Sequence, residues 1–258
     1  MANTSSRLAA RCAVLLALGV ILTGCASKDS PTFDERDPLE PVNRVVFKVN
    51  DVADRILFRP LAAGYEFVVP DLGRQGVNNF FSNVGTVGDM VNNFLQGKPR
   101  LGFSDAARLA LNTTVGWFGL FDPATDVGLA KHNEDFGQTL GVWGFPPGPY
   151  VMLPIFGPQT VRSTVGFITV DRQTRVLRYD KNTRRRQALV ALNVIRIRAN
   201  LRFLNKQLDR SYDPYVFVRD AILQRQRFLR YDGRPPQTDD ALQDDEFADE
   251  GFVEDEDL

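Results

Sequence analysis

Cysteine is almost missing: the 258-residue chain holds Cys12 and Cys25 and no other. Both lie within the first 25 positions, so the rest of the chain forms no disulfide and no cysteine metal site. Histidine is rarer still. The single one, His132, lies between polar neighbours in AKHNEDFG, without a G-x-S-x-G elbow, a Walker phosphate loop or an H-E-x-x-H pair. A hydrolase would need an activated nucleophile with its base, so His132 is assigned to an exposed loop or helix end. Asp122, Asp126, Glu134 and Asp135 are oxygen donors close in sequence, but their spacing matches no calcium loop, and no metal or cofactor is expected. Apolar runs long enough to cross a bilayer as a helix are also missing. So is any run alternating with period two, as a half-buried strand would.

What is present begins with an export signal. Arg7 and Arg11 precede an apolar run from Cys12 to Leu22, and small residues follow. LTGC at 22–25 is similar to the bacterial lipoprotein lipobox, which implies that residues 1–24 are removed and that Cys25 is lipidated. Ala26 in second position, where aspartate would imply inner-membrane retention, implies the outer membrane. Residues 25–36 then read as a tether. From Asp239 to Leu258 there are eleven Asp and Glu and no Lys or Arg, so residues 233–258 read as an acidic, disordered tail, with Leu242, Phe247 and Phe252 as possible docking points. The 29 Lys and Arg and 21 Asp and Glu of residues 26–238 leave that body at +8. A basic, lipid-anchored body suits anionic headgroups or acidic partner surfaces rather than nucleic acid.

Helical periodicity dominates between the two ends. Val42, Val45, Val46, Val49, Val52 and Ile56 predict an amphipathic helix that starts at Pro41 and ends at Pro60. Two short helices are expected next, one from the cap Asp71 through Val84 and one from Val87 to Gly97. Another is capped by Ser104, and Asp122 before Pro123 reads as a further cap. Residues 183–210 predict one long helix with a Val190, Val194, Ile197, Leu201, Leu204, Leu208 seam and a solvated face carrying Arg185, Arg196, Arg202 and Lys206. Arg172, Arg175, Arg178 and Lys181 would spiral round a helix, so they read as a basic linker or a headgroup-contacting segment. Asp213 and Pro214 open a last helix to about Arg230.

One stretch fits no regular element. GFPPGPYVMLPIFGP at 144–158 carries five prolines and three glycines, yet also Phe145, Tyr150, Met152, Leu153, Ile155 and Phe156. Its composition asks for burial without offering regular hydrogen bonding.

The chain resembles the MlaA (VacJ) lipoproteins, on DPLEPVNRVVFKVN at 37–50, FRP at 58–60, VNNFLQGKP at 91–99, ALNTTVGWFGLFDPA at 110–124, EDFGQTLGVWG at 134–144, GPYVMLPIFGPQTVR at 148–162 and SYDPYVFVRDAILQRQ at 211–226. Ser163, where relatives often have aspartate, the arginine-rich 171–186 region and the acidic tail depart from that pattern. The resemblance implies an all-α fold: a ring-like, multi-helix, membrane-embedded domain at 37–232 with irregular Gly/Pro-rich loops. It also implies an outer-membrane protein, not an enzyme, that removes misplaced phospholipids through an amphipathic channel, with a trimeric porin and a periplasmic phospholipid carrier as partners. Irregular backbone at membrane depth is tolerated where it is buried in protein or lines a cavity, so Gly141, Gly144, Gly148, Tyr150 and Leu153 are the lipid-path candidates. Phe80, Phe81, Phe94 and Trp117 are the membrane-facing candidates, with core packing as their other reading. The alternatives are a porin-associated scaffold lipoprotein that carries no lipid and, more remotely, a phospholipase.

Overall fold

The structure, a computed structural model, describes residues 34–171 and 179–236. The signal segment, Cys25, Arg172, Arg175, Arg178, Leu242, Phe247 and Phe252 lie outside the described residues.

The first helix, α1 (Glu40–Ala53), opens with Pro41 in its first turn, as expected. Pro60 does not end it. A π-turn over Asp54–Phe58 carries the chain into α2 (Arg59–Val68). The Arg59 N–H bonds the Asp54 carbonyl five residues back, and this wider turn makes room for a ring that would clash in a regular helix. The two short helices expected after Asp71 are one, α3 (Asp71–Leu95), with Pro70 rather than Asp71 at its N-cap. Gly85 and Gly88 lower the propensity at the junction, but packing along α4 (Pro99–Thr114) holds the helix continuous. Gly97, at φ 74°, ends it. The start of α4 falls at Pro99, five residues before Ser104, because proline suits a first turn. Asp122 caps the single turn α5 (Pro123–Asp126), accepting from the Thr125 N–H. Asp135 caps α6 (Phe136–Val142) in the same way through Gln138.

The fold is helical as expected, but the stretch read as fitting no regular element contains one short strand and the start of a second. β1 (Tyr150–Leu153) and β2 (Gly157–Thr160) form an antiparallel hairpin, with Tyr150 opposite Thr160 and Leu153 opposite Gly157. Strands of four residues are too short for an alternation to stand out in sequence. Pro158 is tolerated because both strands of a two-stranded sheet are edges. Thr160 then caps α7 (Val161–Gly166), and a π-turn follows at Phe167–Asp171.

The long helix expected over 183–210 is broken. α8 (Thr183–Asn200), a 3₁₀ turn at Arg202–Leu204 and α9 (Asn205–Arg210) replace it, although no proline or glycine marks the break. Its apolar seam does not enter a core: no residue of α8 is buried. Arg196, expected on a solvated face, instead stacks over Phe81 at 5.2 Å and donates to Asn78 at 3.1 Å. The last helix, α10 (Pro214–Arg230), is capped by Asp213 through the N–H groups of Tyr215 and Val216, as expected.

The elements pack in a closed circuit. α1 touches β1, the hairpin touches α10, α10 touches α6, α6 touches α3, α3 touches α8, α8 touches α2, and the π-turn returns to α1. Where the circuit joins, Tyr150, Met152 and Tyr215 form a small core with Val46 and Phe47 packed against it. Among the described residues no helix is long and apolar enough to cross a membrane.

Candidate functional site

The irregular stretch leaves α6 and is stapled to α7. Gly144 (φ 94°) and Gly148 (φ 67°) take left-handed conformations that open a turn and bring the chain back. Three carbonyls of this turn have partners: the Arg162 guanidinium donates to Phe145, the Arg162 backbone to Pro147 and the Val161 backbone to Pro149. Gly141 packs on the same guanidinium, where a Cβ would stand 3.0 Å from it. The burial expected of this stretch is found only in β1, where Tyr150 and Met152 are buried. Residues 142–149 are exposed, Phe145 at 55%, and Ile155 and Phe156 beyond β1 are exposed as well. Of the five lipid-path candidates, Gly141, Gly144 and Gly148 thus line one segment. Tyr150 turns into the core, edge-to-face with Tyr215, and Leu153 is half-buried at the end of β1.

The buried side chains among the described residues are mostly polar. Asn93 donates to Asp105 at 2.7 Å, and His132 Nδ1 lies 2.7 Å from the other oxygen of that carboxylate. His132 is therefore half-buried and paired, not the exposed loop residue expected. Gln96 donates to Glu134 at 2.7 Å, the Thr139 hydroxyl to Asn92 at 2.9 Å, and the Glu134 N–H to Asp89 at 2.9 Å. Burial pushes the Asp89 carboxyl up to about 7. Arg108 reaches the Leu129 carbonyl and Asp122. Two acceptors or donors in this interior, Asn93 Oδ1 and the Tyr65 hydroxyl, have no partner.

The outside is the reverse. Among the described residues only six buried side chains are apolar against fourteen polar or charged, while Phe67, Ile56, Phe103, Phe118 and Ile155 are each more than two-thirds exposed. Such a surface is untenable for a monomer in water and natural against hydrocarbon. Of the membrane-facing candidates, Trp117 is 70% and Phe94 41% exposed, whereas Phe80 is half-buried and Phe81 is buried beneath Arg196. Sequence reasoning gave no role to Asp37, Asn43, Arg162 or Arg219, although all four lie in the motifs that carry the resemblance. Polar residues inside otherwise apolar motifs were the available signal.

Helices packed in a closed circuit, with mostly polar buried side chains and large apolar ones exposed, define a helical protein suited to apolar surroundings. The chain belongs to the MlaA lipoprotein family, whose sequence model matches residues 35–229. It is 36% identical over 248 residues to the intermembrane phospholipid transport system lipoprotein MlaA of Escherichia coli, covering 89% of this chain and 94% of that one. The MlaA lipoprotein of Haemophilus influenzae is 31% identical over 233 residues, 88% of this chain and 92% of that protein. An uncharacterised protein of Rickettsia prowazekii is 38% identical over 187 residues, 72% and 74% of the two chains. A solved structure, from work on the structural basis for maintenance of bacterial outer membrane lipid asymmetry, is similar at a TM-score of 0.67 and 38% identity, covering 75% of this chain and 98% of that one.

Proposed function

We propose that this protein is an outer-membrane lipoprotein that withdraws misplaced phospholipids from the outer leaflet through its polar interior and passes them to a periplasmic carrier, so maintaining lipid asymmetry. The observation that carries this reading is the inverted burial: buried side chains mostly polar, large apolar ones exposed. A headgroup stranded in hydrocarbon costs several kcal/mol, so a path for lipid needs polar walls beside apolar surroundings. Transport of this kind breaks no covalent bond, and the protein acts without enzymatic turnover. Cys25 supplies the acyl anchor in the periplasmic-facing leaflet, residues 37–232 form the working domain, and a trimeric porin is the membrane partner that covers part of the apolar belt. The 142–149 segment, exposed and turned at the left-handed Gly144 and Gly148, is the movable wall of the path, with the buried Gly141 at its root.

The experiment compares strains carrying only the wild-type protein, no protein, or Gly144→Ala with Gly148→Ala, at matched membrane levels, and quantifies outer-leaflet phospholipid. Accumulation without the protein is expected, with a smaller accumulation in the double variant. Wild-type leaflet composition in the strain lacking the protein would refute transport. Gly85→Ala, which meets nothing within 4 Å, is the control for a glycine substitution without steric consequence.

A further inference from the structure

A cavity of about 110 Å³ lies between the start of α6, β2, α7 and α10, and its walls include Asp135, Gln138, Arg162, Ser163, Arg225 and Gln226. Arg162 is 7% exposed. One terminal nitrogen donates to the Phe145 carbonyl at 2.9 Å, and its Nε is buried with no partner. Asp135 is the carboxylate that attracts it electrostatically, but that group is committed to capping α6 and to the Gln138 amide. Burial and the nearby charge of Arg230 push the Arg162 pKa down, the direction expected of a cation short of negative charge. A buried guanidinium in this condition is costly unless an anion completes it.

A second unpartnered atom belongs to a residue of the cavity wall. Gln138 Oε1 is buried and accepts nothing, while its Nε2 is used by the Asn133 carbonyl and Asp135. The residues around the cavity thus hold an unused donor and charge at Arg162 and an unused acceptor at Gln138. Arg225, exposed on α10, stands at the rim. A single water needs roughly 10–15 Å³ on this scale, so the space suits a group of several heavy atoms.

We propose that this cavity binds a tetrahedral phosphate group, held by the guanidinium groups of Arg162 and Arg225, with Gln138 Oε1 accepting from an ammonium or hydroxyl of the same ligand. The source is the headgroup of a phospholipid, and in that respect the inference rests on the transport function proposed above. The planar guanidinium fork matches two phosphate oxygens, and an ammonium three or four bonds from the phosphorus is the donor that Gln138 lacks. Arg162 also couples the site to the glycine-rich wall, since it carries the Phe145 and Pro147 carbonyls and the face of Gly141.

The test titrates the full-length lipoprotein in detergent micelles with glycerophosphoethanolamine and, separately, with inorganic phosphate, by calorimetry. Wild type is compared with Ser163→Asp, which places a carboxylate beside Arg162, and with Arg225→Gln, which removes an exposed charge; thermal unfolding confirms that both fold. The expected result is binding of glycerophosphoethanolamine by wild type, weakened roughly tenfold or more in each variant, with inorganic phosphate competing only at higher concentration. Inorganic phosphate binding as tightly as the headgroup would overturn the headgroup assignment. Equal affinities in the three proteins, or no binding by folded wild type, would overturn the site. Transport is judged by leaflet composition in cells, so its failure is recognised separately.

Discussion

The Tyr215 hydroxyl donates to the Asp37 carboxylate across 178 residues of chain, and both side chains are buried. The same carboxylate accepts from Asn43 Nδ2 at 2.7 Å and lies 3.6 Å from the Arg219 guanidinium. Asn43 in turn donates to the Tyr150 carbonyl at 3.1 Å and accepts from the Met152 N–H at 2.9 Å. One polar cluster therefore ties the approach to α1, the hairpin and α10 together where the circuit closes. Burial pushes the Asp37 pKa up, opposed by the hydrogen bonds from Tyr215 and Asn43.

Tyr215→Phe isolates the hydroxyl. The ring keeps its edge contacts with Phe47 at 5.7 Å and Tyr150 at 6.1 Å, so the change is one buried hydrogen bond to a carboxylate. A loss of about 1–3 kcal/mol in unfolding free energy is expected from chemical denaturation in micelles. Unchanged stability would show that the bond contributes nothing.

Asn43→Leu removes three hydrogen bonds and leaves the Met152 N–H and the Tyr150 carbonyl buried without that partner. The loss should exceed that of Tyr215→Phe and reach roughly 3 kcal/mol or more. Amide exchange at Met152 should accelerate while exchange in α4 does not. Uniform acceleration would argue against a local clasp.

Asp89 makes stability depend on pH. Its folded pKa, about 7, lies above its ordinary value of 3.8. The stabilisation from its neutral form is therefore complete below about pH 4 and is lost as pH rises through about 7. Asp89→Asn keeps an acceptor for the Glu134 N–H and cannot ionise. The variant should be the more stable protein above pH 7, with the gap closing towards pH 4. Parallel melting curves across that window would remove Asp89 as the source.

Gly166 and Gly64 should respond to alanine with opposite signs. A Cβ on Gly166 would stand 2.4 Å from the Gly137 nitrogen, where α6 and α7 meet, whereas one on Gly64 meets nothing within 4 Å. Gly166→Ala is expected to cost about 1–3 kcal/mol through backbone displacement. Gly64→Ala, in the exposed face of α2, should add roughly 0.5–1 kcal/mol through helix propensity. Thermal unfolding of the two variants side by side checks both signs.

Much of the local structure was legible in the residues. The caps at Asp122 and Asp213, the proline-led start of α1 and the stop at Gly97 follow from single backbone groups and the side chains within reach of them, and such short-range chemistry is written in adjacent residues. The family was legible too, because ordered motifs from Asp37 to Gln226 carry it. The continuity of α3, the passage through Pro60 and the break at Leu201 were not, since packing partners far along the chain override propensity. The inward or outward sense of the apolar stripes was decided only by closure of the circuit. Periodicity identifies a face but not what lies against it: the same spacing that suggested a seam in α8 is exposed, and the apolar Gly/Pro stretch that suggested burial is buried only at Tyr150 and Met152. The cavity around Arg162 was equally invisible, because its walls come from four elements whose meeting depends on the fold and on no local pattern.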